Sequence, residues 1–434
     1  MKKNVFVVGQ DEINIQDLKN IEDAEKYEFI PLLDAADVRL ELKGERMSYE
    51  KLIAKAREKL DNHKGSIDAI ISFIDPAMLL TYYLCEQYGL KAPSLKSVIY
   101  FEQKYLSRKA QKKVLPDHVP SFREVDPFSA PKMSDLELST PFWLKPVISY
   151  GGQLAFKIEN QQDYDESLEI IREQIDFFSE PYDYLLSISD LPDEIKKGGG
   201  KYCIAENTIS GSFYTIEGYV CDGKMEVYAF FESPLYKGTS SFMGYVTPSS
   251  LADPVKERMI RMAEKIMTEI AYDNAPFNIE FLYDEKSDHI WVLEVNSRIS
   301  ESHSYPYSKV YGYSNHHYLV KIATGATPQP LARNGPSNIG AKLYCRVFFE
   351  DGIVRHIPSP KAVETIEDEF DARIKIQVEE GQKLSELQGQ DSYSYSLADV
   401  YLGADNEKHL YERFDRIVER LSIVVEDTGP DAQT

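Results

Sequence analysis

Cysteine is scarce in this chain, with four residues in 434 (Cys85, Cys203, Cys221 and Cys345), all far apart and none in a CxxC pair. That spacing excludes a disulfide framework or a zinc knuckle and points to a reducing, cytoplasmic setting, with no secretory run expected behind the opening MKKN. The eight histidines show no HExxH spacing, so zinc chemistry has no support, and His316 and His317 read as ordinary helix residues. Long apolar runs are missing too: nothing approaches the roughly 18 residues that would span a bilayer, which excludes membrane insertion. Positive charge is in deficit, with 49 Lys+Arg against 71 Asp+Glu for a formal charge of -22. Such a chain lacks the basic face that general nucleic-acid binding needs, so any phosphate must be held locally. Gly9 stands without the other glycines of a dinucleotide fingerprint and reads as turn chemistry.

What is present is core: 43% of the residues are apolar, with 29 Tyr and 20 Phe, in a length sufficient for two or three domains. The β-branched runs Val5 to Gly9 and Ile67 to Asp75, with helical spacing over Tyr49 to Leu60 behind a Ser48 cap, predict an α/β layer with a parallel sheet. A basic helical segment, Tyr100 to Val114, opens a second unit. It continues with strands at Phe142 to Val147 and Gln153 to Ile158 around the hairpin ISYGG, and a helix at Tyr164 to Phe178. Strands at Tyr202 to Ile209, Ser212 to Val220 and Met225 to Glu232 predict an antiparallel sheet, and the methionine stripe of the helix Val255 to Ile270 reads as core rather than as a ligand box. Beyond about residue 330 a Pro- and Gly-rich loop leads into a strand-rich stretch and a closing helix, Glu407 to Leu421. The expected division is 1–98, 99–204, 205–330 and 331–434.

The chemistry concentrates in Phe277 to Arg298, FNIEFLYDEKSDHIWVLEVNSR. Two strands flank a polar turn, and Glu280 and Glu294 are equidistant from Ser287, so a hairpin centred there sets the two carboxylates opposite one another with Asn296 on the same face. Two carboxylates in an apolar sheet repel unless a cation sits between them, and magnesium accepts hard oxygen ligands while leaving positions for phosphates. Arg298 would offer a positive fork to the same place; the alternative is a solvated face with a surface ion pair. Lys145, in the apolar strand WLKPV, needs an anionic partner. The hairpin after it, with Gly151 and Gly152, is either a phosphate lid or a plain β-turn. Lys104 sits in a Lys-rich helix of the kind that is usually solvated surface. Glu206 to Ile209 (ENTI, with Asn207) could present a carboxylate and backbone groups to an adenine ring.

The order of FEQK at Phe101 to Lys104, WLKP at Trp143 to Pro146, AENTISG at Ala205 to Gly211, FNIEF at Phe277 to Phe281 and EVNSR at Glu294 to Arg298 resembles the ATP-grasp superfamily over nearly the whole chain. The resemblance implies an α/β and α+β architecture. Its parts are an ATP-grasp fold with an N-terminal Rossmann-like domain, a mobile lid and a C-terminal strand-rich extension, clamping ATP between two α+β units. It further implies that Lys104 and Lys145 contact the nucleotide phosphates, Glu206 and Ile209 edge the adenine, Glu280, Glu294 and Asn296 hold Mg2+ (or Mn2+), and Arg298 steadies the transferred phosphoryl group. The Glu that such proteins often carry near the position of Phe213 is absent, which leaves the ribose contact unassigned.

NSRISESH at Asn296 to His303 and YCRVFFEDGIVRHIPSP at Tyr344 to Pro360 look like the biotin carboxylase branch, and ARIKIQVEEGQ at Ala372 to Gln382 fits it. Yet the branch's base, a Glu just before the matching histidine, is Ser302 here, with Glu301 one residue off register, and a hydroxyl of normal acidity cannot replace a carboxylate base. The expected function is therefore that of the amino-acid and peptide ligases of the same scaffold. ATP phosphorylates a carboxylate, an amine attacks the acyl phosphate, and ADP and phosphate leave. A carboxylase and a non-catalytic ATP-binding module are the alternatives. Ser302, His303, Tyr305, Arg346 and Arg373 are the candidate substrate residues, and the Tyr305 to Tyr318 run reads as pocket or as core. A small carboxylate and an amine are the expected partners, and homodimerisation is a family expectation. Replacing Glu294 by Gln is expected to abolish ATP turnover with an unchanged circular dichroism spectrum; near-normal turnover contradicts the metal assignment.

Overall fold

The computed structural model describes residues 2–38, 47–129, 131–348, 351–387, 390 and 394–428. Phe349 and Glu350 of the Tyr344 to Pro360 run lie outside the described residues. Strands β1 (Lys3–Gln10), β2 (Tyr27–Asp34) and β3 (Ala69–Ile71) form a parallel sheet in the order β2-β1-β3. Val5 to Val8 are all buried, as a parallel strand covered on both faces requires. Gly9, next to last in β1, has φ +84°, and a Cβ there would lie 2.0 Å from Ile74 Cδ1, so the glycine serves the turn and its packing. β3 is shorter than the Ile67 to Asp75 run, because Asp75–Ala77 turns into a 3-10 helix that leads to the helix Met78–Gln87. The turn leaves Asp75 at the C-terminal edge of the sheet.

The single helix expected over Tyr100 to Val114 is two, Leu95–Glu102 and Lys104–Val114. They break at Gln103, whose backbone is extended and whose side-chain oxygen accepts from Leu106 N at 2.7 Å as an N-cap. A small antiparallel sheet follows: β4 (Phe122–Val125), β5 (Phe142–Pro146), β6 (Phe156–Ile158) and β7 (Cys203–Asn207), ordered β4-β7-β5-β6. The helix behind it runs over Gln161–Ile188, well past Phe178, because buried positions at helical spacing continue through Tyr182, Leu185 and Leu186.

The main sheet has eight strands: β8 (Ser212–Cys221), β9 (Lys224–Ser233), β10 (Gly244–Thr247), β11 (Ala275–Asp284), β12 (His289–Asn296), β13 (Ile339–Val347), β15 (Arg373–Ile376) and β16 (Tyr395–Ala404), with β14 (Gly352–His356) and β17 (Val424–Asp427) forming a separate pair. Its order is β12-β11-β8-β9-β10-β13-β16-β15. The strands beyond residue 330 thus extend the central sheet through the β10–β13 pairing, Val246 opposite Ala341. The helix Asp253–Ile270 buries Met259, Met262, Ala263 and Ile266, which makes the methionine stripe core. Tyr307 and Tyr318 are also fully buried, so this part of the tyrosine run is core. All four cysteines are buried and free, and among the described residues no helix is long and apolar enough to cross a membrane.

Gly218 on β8 is the tightest point beneath the hairpin: an added Cβ would lie 2.4 Å from Phe277 Cζ and 2.6 Å from Glu226 O. Gly218→Ala is expected to lose roughly 1–3 kcal/mol of stability by overpacking, read as a lower urea midpoint; an unchanged midpoint contradicts this packing.

Candidate active site

A cleft of about 690 Å³ opens where the three sheets meet. Its floor is the β11–β12 hairpin. There the register pairs Glu280 with Glu294 and Asn278 with Asn296, and only past Glu280 does it slip to Phe281 opposite Val292. The two carboxylates and Asn296 therefore share one face, as the period of two requires. Burial, and then the Glu294 charge opposite, push Glu280 up to about 7. Asn296 donates through Nδ2 to Asn278 Oδ1 at 3.3 Å, which leaves its own Oδ1 to accept. The donor set is hard oxygen, and the mutual repulsion is what a divalent cation would relieve, so the residues fit magnesium. Among the described residues no group of three His, Cys, Asp or Glu could hold a metal alone, so such a cation also needs oxygens from elsewhere, as from phosphates.

Every cation of the cleft is already engaged. Lys145 on β5 has the anionic partner its apolar strand demands: Glu206 on β7, at 2.6 Å. Glu206 also takes Arg108 Nε at 2.8 Å. Burial would raise this carboxyl, but Arg108 and Lys145 reverse that and hold it at about 2. Arg108 in turn donates to the carbonyls of Val292 and Leu293 on β12, so one buried pair ties the Lys104–Val114 helix, β7 and the hairpin together. Lys104 Nζ donates to Ser149 O at 2.5 Å and lies 3.6 Å from Glu294. Gly151 and Gly152 border the cleft with φ of +60° and +73°, in space that a Cβ would leave open, so backbone conformation is what requires glycine there. Arg298 forms a bidentate pair with Asp75, its Nη2 2.7 Å from Oδ2. Glu102 sits beside that pair, pushed up to about 8 by burial and then by Asp75, and accepts from Ser297 Oγ at 2.9 Å.

The far wall carries Phe213, Phe242, Tyr245 and Tyr344 with Ser302, His303 and Arg346. Arg346 donates to Phe242 O and Ser394 Oγ, each at 3.0 Å, and lies over the Tyr344 ring. Ser302 accepts from Lys342, which is paired with Asp399 at 2.9 Å. His303 is buried, with Nδ1 2.7 Å from Glu217.

Five expected site residues do not border the cleft. The Glu206 carboxylate faces Arg108 and Lys145 rather than a nucleotide, and Asn207 and Ile209 lie at and just past the end of β7. Asn207 Oδ1 is buried without a hydrogen-bond partner. Tyr305 follows His303 by two positions in the helix Glu301–Tyr311, a rotation of about 200°, and so packs away from the cleft against Tyr401 and Arg373. Arg373 is on β15, two strands beyond β13, where it pairs with Asp17 at 2.9 Å. His316 and His317 are buried helix residues held down to about 4, first by loss of solvent.

Asp75, Glu217, Glu102 and Arg108 were not anticipated. Two carried a usable signal: Asp75 closes the run that predicts a parallel strand, and so falls past the edge where open α/β sheets bind ligands, and Glu217 interrupts the strand SFYTIEGYV as Lys145 interrupts its own.

Residues 138–304 match the family described as the ATP-grasp domain. Among curated proteins, urea amidolyase of Saccharomyces cerevisiae is 23% identical over 171 residues, 39% of this chain and 9% of that protein. An L-amino acid ligase from Bacillus licheniformis superimposes with a TM-score of 0.70 at 15% identity, covering 98% of both chains. The biotin carboxylase domain of the Hydrogenobacter thermophilus 2-oxoglutarate carboxylase, solved with MgADP and bicarbonate, gives 0.62 at 16% identity, over 98% of this chain and 92% of the other. N5-carboxyaminoimidazole synthetase from Staphylococcus aureus, complexed with ADP, gives 0.63 at 13% identity, over 96% and 98%.

The raised Glu280 sets a pH dependence. Its folded value of about 7 lies above the ordinary 4.5, so without a cation this group costs stability progressively as pH rises between the two. A cation that needs it ionised must displace a proton below about pH 7. The gain in Tm from Mg2+ with a non-hydrolysable ATP analogue is expected to be larger at about pH 8 than at about pH 5.5; equal gains contradict the assignment.

Proposed function

We propose, from the ATP-grasp domain that this chain carries, that it is an ATP-dependent carboxylate–amine ligase forming an amide through an acyl phosphate, with release of ADP and phosphate. The observation that carries this is the convergence of Glu280, Glu294, Asn296, Arg298, Lys104 and Lys145 on one cleft. In this reading Lys104, Lys145 and the Gly151–Gly152 turn cover the nucleotide phosphates. Glu206 holds Lys145 in place rather than touching adenine, and the backbone from Asn207 to Ile209 edges the base. Glu280, Glu294 and Asn296 would hold Mg2+, with Mn2+ able to substitute, and a bound Mg2+ would offset charge between the β- and γ-phosphates.

Arg298 exchanges Asp75 for the transferred phosphoryl group, so a guanidinium held neutralised in the resting cleft meets negative charge where it develops. The carboxylate oxygen of the substrate attacks the γ-phosphorus and ADP leaves; an amine then attacks the acyl carbon, the carbon–oxygen bond breaks, and phosphate leaves with that electron pair. The aromatic wall excludes water from the acyl phosphate, and Arg346 offers a substrate carboxylate a charged partner. Ligation is favoured over bicarbonate activation because Ser302, which cannot take a proton from bicarbonate, borders the cleft and Glu301 does not. The reading extends to a cytoplasmic homodimer acting on small molecules, built as an α/β unit (1–98), a lid (99–204), a metal-bearing unit (205–330) and a C-terminal unit (331–434).

The test is product analysis of MgATP turnover against amino acids, other small carboxylates with amines, and bicarbonate. Amine-dependent ADP release with an amide product is expected. Stimulation by bicarbonate alone, release of AMP, or tight ATP binding with no turnover across the panel contradicts the ligase.

A further inference from the structure

Glu217 stands in the middle of β8 with no exposed surface, and its two oxygens collect five donors. Oε1 takes His303 Nδ1 at 2.7 Å, Ser300 N at 3.0 Å and Asn278 Nδ2 at 3.3 Å. Oε2 takes Tyr228 Oη at 2.6 Å and Asn315 Nδ2 at 2.7 Å. Burial raises this carboxyl, but His303 and the other donors bring it below the ordinary range, so it stays ionised. An ionised carboxylate can only accept, which places the shared proton on Nδ1 of His303, so that whenever the ring is neutral its lone pair is on Nε2.

The ring cannot turn away from that arrangement. It lies flat on Phe231, with centroids 3.7 Å apart and planes within 9°, and Tyr245 meets it edge-on at 5.1 Å. His303 is 2% exposed and borders the cleft, and its Nε2 is buried with no hydrogen-bond partner. A buried acceptor fixed through Glu217 by four further donors and left unmatched against a ligand cleft is a site for a donor that arrives with the substrate. The other ionisable groups around the ring are paired or neutral. Lys342 on β13 is paired with Asp399 on β16, Asp17 on the neighbouring helix Glu12–Lys19 is paired with Arg373, and Tyr228 and Tyr245 are raised well above their ordinary value and stay neutral.

We propose that His303 is the base that takes a proton from the attacking amine, with Glu217 as its positioning residue. This rests on the ligase reading. At neutral pH the amine arrives as an ammonium, which has no electron pair to give. Transfer of one proton to Nε2 frees that pair, the nitrogen bonds to the acyl carbon, the carbon–oxygen bond to phosphate breaks, and phosphate leaves with its electrons and takes up the second nitrogen proton. The resulting imidazolium is stabilised by Glu217 and returns its proton to solvent as the product departs.

The test compares two nucleophiles in the full-length protein, with MgATP and each of the twenty standard L-amino acids as the carboxylate. Hydroxylamine is neutral near pH 7.5 and traps the acyl phosphate without a base; the same amino acids offered as amines are ammonium ions and need one. In His303→Gln the ratio of amide to hydroxamate is expected to fall about 100-fold or more, and to recover as pH rises. Glu217→Gln is expected to lower the same ratio by less and to shift its pH profile. An unchanged ratio in His303→Gln, or equal loss of both products, overturns the base while leaving the ligase standing; a wild type that makes neither product overturns the ligase and the proposal with it. Nitrogen-15 imidazole spectra of the wild-type chain give an arm independent of turnover: a lone pair on Nε2 of His303 is expected, and one on Nδ1 overturns the assignment.

Discussion

Charge that borders a half-closed cleft must be matched, and here three matches are made between distant parts of the chain: Lys145 with Glu206, Arg298 with Asp75, and Lys104 with Glu294. The Glu206 pair is the anchor. Its carboxylate is held between a guanidinium that also grips the backbone of β12 and an ammonium that borders the cleft, so removing either cation would leave a buried charge short of a partner. This makes the small sheet, the Lys104–Val114 helix and the catalytic hairpin one electrostatic unit. In the proposed function a polyphosphate entering the cleft would exchange partners with groups already charged and already oriented, with little reorganisation of the protein.

Sheet geometry explains why the anionic and cationic halves meet. The hairpin of β11 and β12 sets two carboxylates at one cross-strand step, and the parallel N-terminal sheet ends with Asp75 against the guanidinium that follows that hairpin. β8, next to β11, carries Glu217 opposite Asn278 on the same face of the sheet. Asn296 bonds Asn278, Asn278 bonds Glu217, and Glu217 bonds His303, a continuous line from a proposed metal ligand to the substrate wall.

Features fixed by short-range periodicity were legible in the sequence. The opposition of Glu280 and Glu294 was reached by counting outward from Ser287, though the strands obtain it through a one-residue slip at Glu280; the methionine stripe follows from helical spacing, and the need of Lys145 for an anion from its apolar strand. Features fixed by long-range pairing were not. Asp75 and Arg298 are 223 residues apart and Glu217 and His303 86, and no local pattern joins them. Tyr305 and Arg373 were misplaced for a related reason: membership of the right segment does not say which side of a helix or which strand of an eight-stranded sheet faces the cleft. That the Glu206 carboxylate pairs with Arg108 as well as Lys145 was not legible, because Arg108 lay in a helix that looked like solvated surface.

The central claim is that the cleft transfers the γ-phosphoryl group of ATP to a carboxylate oxygen. The most direct measurement is oxygen tracing. With the carboxylate substrate labelled with 18O in both oxygens, one labelled oxygen per turnover should appear in inorganic phosphate, seen as the isotope shift of its 31P resonance, with the other retained in the amide. Phosphate free of the label while amide is formed would mean that no acyl phosphate lies on the path and would contradict the account.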